Sequence, residues 1–198
     1  MHSPSFRHLE IAMRTCAYLK GTDQLGLTIG GNGNMSLHNI KSNQLYAYSD
    51  SSFCDLENSK SSFGYLVYMN GSPLTWTAKS QIDLALSTCE AEYIALSHAT
   101  SEAIYLTSFL EELGYKQDTV PIFADNEAAI AICAEAKHHS RTRHIRMRYH
   151  HTRHEVSTGM VRVKHMKGSE LPADLLTKSL PLQTHRKHME GMCGDFTT

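Results

Sequence analysis

The runs LYAYSD (45–50), FGYLVYM (63–69) and PLTWTA (73–78) decide the fold of this chain. Each is aromatic and β-branched and bounded by polar residues, the composition of a β-strand. Asn70-Gly71, between the second and third runs, is a strong hairpin signal, so the core is expected to begin as an antiparallel meander. Downstream the periodicity changes. Tyr93, Leu96, Ala99, Ala103, Leu106, Leu110 and Leu113 recur at three or four residues and predict a long helix from Thr88 to Leu113, stopped by Gly114. Val120 to Ala124 reads as a short strand ending at Asp125-Asn126, followed by a helix through EAAIAICAEA (127–136). The second half of segment 137–158 reads as a helix ended by Gly159, MVRVKHM (160–166) as a last strand, and LPADLLTKSL (171–180) as a last helix with Pro172 in its first turn. The order β-β-β-α-β-α-α-β-α predicts an α/β fold, an antiparallel hairpin sheet extended by parallel crossovers with helices on its faces. Upstream, Leu9, Met13, Ala17 and Leu19 suggest a short helix, and residues up to about 43 a hairpin leading into the main domain.

The 198 residues, 41% of them hydrophobic, suit one compact domain with a small appendage. The formal net charge of −1 hides an asymmetry. Between Lys137 and His165 lie eight Lys or Arg residues, one acid and seven of the 13 histidines, so that stretch carries +7 and the remainder −8. Five cysteines without CxxC pairing read as reduced thiols inside a cell, the cytoplasm being the expected compartment. Neither a signal peptide nor an apolar run long enough to span a bilayer is expected, and so no membrane partner.

Four carboxylates stand where these elements begin or end: Asp50 in YAYSDSS, Glu92 in STCEAEYIAL, Asp125 in PIFADNEAAI and Asp174 in ELPADLLTK. An isolated Asp after a strand is usually a turn former or a helix cap. If the first strand is central and the strand before Asp125 runs parallel beside it, however, Asp50 and Asp125 become neighbours. Glu92 and Asp174 can then approach from flanking helices. Like charges so crowded need cations, and two Mg²⁺ ions about 4 Å apart would serve for phosphodiester hydrolysis. Ser87-Thr-Cys-Glu90 reads as a capping box in which Glu90 reaches back to the cap, leaving Glu92 as the acid for chemistry.

Taken together, YSDSS, AEYIAL, ADNEAAI and ADLLTK resemble the four catalytic blocks of ribonuclease H, specifically the ribonuclease H domain of Ty1/copia-type retrotransposon Pol polyproteins. LKGTDQLGL (19–27), SPLTWTAKSQ (72–81), HHSRTRHIRMRYHHTRHEV (138–156) and TKSLPLQTHRKH (177–188) fit the same subfamily. The resemblance implies a ribonuclease H-like fold, a five-stranded mixed sheet flanked by helices. It implies Asp50, Glu92, Asp125 and Asp174 as the metal-binding catalytic tetrad, holding two Mg²⁺ ions for which Mn²⁺ can substitute. The implied reaction is endonucleolytic hydrolysis of the RNA strand of an RNA–DNA hybrid, leaving a 3′-hydroxyl and a 5′-phosphate. It further implies that residues 1–43 are a connecting segment after a reverse transcriptase domain in a parent polyprotein, 44–180 the ribonuclease H-like domain and 181–198 a C-terminal tail. No YxDD polymerase motif occurs, so polymerase activity is not expected of this chain. His165, nine residues before Asp174, occupies the place near which many cellular ribonucleases H carry a mobile His. The chain departs from the subfamily in carrying Ser52 and Phe53 where an acid and a Trp are common, and Lys60 where an Arg pair is common.

The run RTRHIRMRYHHTRH (141–154), if helical, offers Arg141, Arg143, His144 and Arg148 as a track for duplex phosphates. A solvated helix face is the competing reading, and a histidine metal site is disfavoured by the interleaved cations. Ser51, Ser87 and Asn126 are candidate donors to ribose 2′-hydroxyls. Two other functions fit the same blocks: a retroelement remnant that binds or interacts without turnover, and an integrase-like DNA nuclease. Such DNA nucleases usually rely on three acids, and a fourth block at Asp174 argues against that reading.

Overall fold

The computed structural model describes residues 4–27, 29–30, 39–56, 59–134 and 146–193, with side chains of 146–149 excepted. Five strands, β1 (Leu45–Ser52), β2 (Ser62–Met69), β3 (Ser72–Ser80), β4 (Val120–Ala124) and β5 (Val161–His165), form one mixed sheet in the order β3-β2-β1-β4-β5. β1, β2 and β3 are antiparallel neighbours, whereas β4 runs parallel to β1 and β5 parallel to β4. The expected central position of β1 and the parallel β1/β4 pair are both found. Asn70 (φ 52°) and Gly71 (φ 76°) make the β2–β3 turn, both with the positive φ that a type I′ hairpin requires.

The helices are α1 (Phe6–Gly21), α2 (Thr88–Glu112), α3 (Glu127–Ala134), α4 (Arg146–Ser157) and α5 (Leu182–Cys193). Side chains of β1 and β2 alternate between two apolar layers, as the two-residue period of a strand demands. Leu45, Ala47, Phe63, Tyr65 and Val67 join Tyr93, Leu96, Ala99 and Ala103 of α2 on one face. Tyr46, Tyr48, Leu66, Tyr68 and Phe123 join Met166, Leu171 and Ala173 on the other. The second layer is largely aromatic, with Tyr46 and Tyr68 stacked at 5.3 Å between ring centroids.

One expectation at the carboxyl end is corrected. The segment read as a last helix is a 3-10 helix confined to Pro172–Leu176, and a further α-helix, α5, lies within 181–198. Pro181 keeps the chain from running on into α5 as one helix, because the residue before a proline is disfavoured in the helical region. At the other end, α1 forms as its periodicity predicts but buries none of its residues. The hairpin expected before residue 43 falls largely on 31–38, outside the described residues. All five cysteines are free thiols, and no helix among the described residues is long and apolar enough to cross a membrane.

Candidate metal centre

Parallel pairing of β1 with β4 brings their carboxyl ends together, and the acids collect there. Asp50 is the sixth residue of β1 and fully buried. Asp125 follows the last residue of β4 and is half-buried. Glu92 lies in the second turn of α2, 5% exposed. One carboxylate oxygen from each of these three residues lies within 4.8 Å of the other two. Asp174, on the 3-10 helix Pro172–Leu176, is outside that group but joined to it through Lys178, whose Nζ donates to Asp50 Oδ1 and to Asp174 Oδ1 at 2.9 Å each. The Thr177 hydroxyl donates to the other Asp50 oxygen.

The start of α2 separates two neighbouring acids by their surroundings. Ser87 caps the helix, its Oγ accepting from Glu90 N–H at 3.1 Å. Glu90 does reach back, but to Leu86 N–H (2.7 Å) rather than to the cap residue. Glu92, two residues on, points inward, where Oε1 accepts from Ser51 N–H at 3.3 Å and Oε2 has no partner among the described residues. A buried oxygen without a donor is costly unless something positive reaches it. Burial pushes the Glu92 carboxyl up to about 8, with the Asp50 charge adding to it. Burial likewise pushes Asp50 up to about 6, against the opposing pull of Thr177 and Lys178. A set of hard oxygen ligands with one open, buried acceptor fits a divalent cation.

Glycine makes room in two places. A Cβ on Gly168 would sit 3.0 Å from Asp125 Oδ2, so this backbone closes directly over the carboxylate. A Cβ on Gly64, which pairs with Asp50 across β1/β2, would sit 2.5 Å from Leu176 Cβ. Only glycine there lets the 3-10 helix that carries Asp174 lie against β2.

His165 ends β5 opposite Ala124, on the same sheet edge as Asp125, with its side chain exposed. Ser51 is buried and serves Glu92 through its main-chain N–H. Asn126 caps α3, its Oδ1 accepting from Ala129 N–H at 2.9 Å. Arg141, Arg143 and His144 lie outside the described residues, as does the side chain of Arg148. Thr177 and Lys178 join the site unexpectedly, although Lys178 follows Asp174 at the four-residue spacing of one helical turn.

No family model matches the chain. Over 182 residues, 91% of its length, it is 36% identical to the retrovirus-related Pol polyprotein from transposon RE1 of Arabidopsis thaliana, of which it spans only 12%. It is 37% identical over 105 residues to secreted RxLR effector protein 161 of Plasmopara viticola, matching 52% of this chain and 68% of that protein. Its fold resembles LC11-RNase H1, isolated from compost by a metagenomic approach, with a TM-score of 0.51 and 17% identity over 68% of this chain and 92% of that one.

Proposed function

The chain is a homologue of one segment of Ty1/copia-type Pol polyproteins, folded as a ribonuclease H-like domain, and from this we propose that it cleaves the RNA strand of RNA–DNA hybrids. In this reading Asp50, Glu92, Asp125 and Asp174 hold two divalent ions, Mg²⁺ or Mn²⁺. Residues 1–43 connect to a reverse transcriptase domain, 44–180 form the nuclease, 181–198 extend from it, and the reaction runs in a cytoplasmic retroelement particle. The observation that carries the proposal is the convergence of three carboxylate oxygens within 4.8 Å, one carboxylate leaving a buried oxygen free.

Asp50, Glu92 and Asp125 would hold one ion and Asp50 with Asp174 the other. When bound, the ions supply a water acidic enough to attack phosphorus and charge to stabilise the leaving oxygen. The rest falls to the protein. Ser51 N–H fixes one Glu92 oxygen and leaves the other free, and Gly168 keeps Asp125 covered on one side while its other side stays half-open. In the same reading His165, at the exposed end of β5, hands a proton to the departing 3′ oxygen or assists product release. Arg141, Arg143, His144 and Arg148 supply phosphate contacts along the duplex, and Ser51 and Asn126 border the ribose.

A cleavage assay on a labelled hybrid with Mg²⁺ tests this against Asp125→Asn. The wild type should release fragments with 5′-phosphates, and the variant should be slower by at least about 100-fold. Equal inertness of both proteins would sink the enzyme reading. A second reading has its own support in the likeness to a protein named as a secreted effector rather than as a Pol polyprotein. In that reading the present chain acts as a binding or interaction module without turnover, and the assay would show hybrid retained but uncut.

A further inference from the structure

Lys178 is where the site departs from a simple cage of acids. Its ammonium lies 2.9 Å from Asp50 Oδ1 and 2.9 Å from Asp174 Oδ1, and its side chain is 35% exposed, so the head group is embedded while one side stays open to solvent. Asp50 is fully buried and Asp174 is 9% exposed. A cation equidistant from two buried carboxylates occupies the place that a metal shared between those carboxylates would take, and both cannot be there at once. The geometry on the other side of Asp50 is different. Among the described residues Glu92 Oε2 has no partner, and no lysine or arginine makes an ion pair with Glu92 or Asp125.

We propose that Lys178 is a tethered cation that holds the Asp50–Asp174 position against a divalent ion, making the two metal positions unequal. The position at Asp50, Glu92 and Asp125 is open to a divalent ion from solution. The position between Asp50 and Asp174 fills only when the Lys178 ammonium swings out along its exposed side. A phosphate of the substrate arriving at that edge gives the ammonium an alternative partner, so substrate and second ion enter together. The proposal rests on the metal-dependent nuclease reading, and it concerns the order in which charges assemble rather than the cleavage step. Thr177 fits the same arrangement. Its hydroxyl holds the second Asp50 oxygen, so the Thr177-Lys178 pair engages both oxygens of this carboxylate.

Binding of Mn²⁺ to the full chain without nucleic acid, followed by electron paramagnetic resonance and by calorimetry, tests the inference with no reference to cleavage. The wild type should bind one Mn²⁺ well and a second far more weakly. In Lys178→Met the second ion should bind at least about tenfold more tightly, because a positive charge a few ångströms away has been removed, while the first changes little. Lys178→Arg keeps the charge and should keep the second position weak, which covers the case in which the methionine variant does not fold. Thermal melts supply a third reading: without metal Lys178→Met should melt below wild type, and Mn²⁺ should raise its melting temperature more than that of wild type. A second position that is as weak in Lys178→Met as in wild type, or two equal ions in wild type, would overturn the inference while leaving the nuclease reading standing. Absence of any bound Mn²⁺ would overturn both.

Discussion

Glu92 shows how one side chain couples the site to stability. Its carboxyl is pushed up to about 8 by burial and by Asp50, and Asp50 itself is pushed up to about 6 by burial. A group whose folded-state pKa is raised contributes stability that is complete below its ordinary pKa and is lost as pH climbs through the raised value. The metal-free protein should therefore lose stability as pH rises from about 4.5 to about 8, the interval between the ordinary and folded values of Glu92. Thermal melts across that range should show a steeper decline for wild type than for Glu92→Gln, which carries no titrating proton. Saturating Mg²⁺ should flatten the wild-type curve, since the ion neutralises the charge that deprotonation creates. A wild-type curve parallel to that of the glutamine variant would remove Glu92 as the cause. The choice of Glu92 over Glu90 was legible in the sequence because a helix cap follows local spacing. Lys178 was not, since a lysine in a polar stretch reads as a solvated charge and its partner Asp50 lies 128 residues away.

Among the elements, the 3-10 helix Pro172–Leu176 has the narrowest seat. It packs between α5 and the β1/β2 pair, and its fit against β2 depends on Gly64 having no side chain. Gly64→Ala should destabilise the fold by about 1–3 kcal/mol, the usual cost of overpacking, measurable by urea unfolding. Because the displaced segment carries Asp174, hybrid cleavage should fall as well under conditions where the variant is fully folded. Full activity with unchanged stability would mean that the 3-10 helix is not seated as described. The strands and the long helix were readable because each has a strong period of its own. α2, for example, runs Thr88–Glu112 against an expectation of Thr88 to Leu113. LPADLLTKSL has a helical composition, yet its regular part is a five-residue 3-10 helix seated against β2. No local pattern announces such a confinement.

At the level of the whole molecule, charge is segregated along the chain, with +7 between Lys137 and His165 and −8 elsewhere. Affinity for a hybrid duplex should fall steeply with salt, as counterion release requires. Replacing Arg141, Arg143 and Arg148 together by glutamine should shallow the slope of log affinity against log salt by about one for each phosphate left unneutralised. An unchanged slope in a filter-binding titration would assign these residues to a solvated surface instead. The hydrogen bonds that close the site also fix the order in which the molecule can be completed. Asp50 meets Thr177 and Lys178 across 127 and 128 residues of intervening chain. Pairings of such separation are among the slowest to form, and here they link the first strand of the sheet to a segment synthesised after every acid it serves. While the polypeptide is still emerging, Asp50 has neither of these partners, so its burial in the sheet waits on a segment that follows it by more than a hundred residues. Thr177 and Lys178 then engage both oxygens of Asp50, so the surroundings of this buried carboxylate are complete only once the segment after the 3-10 helix has joined the first strand.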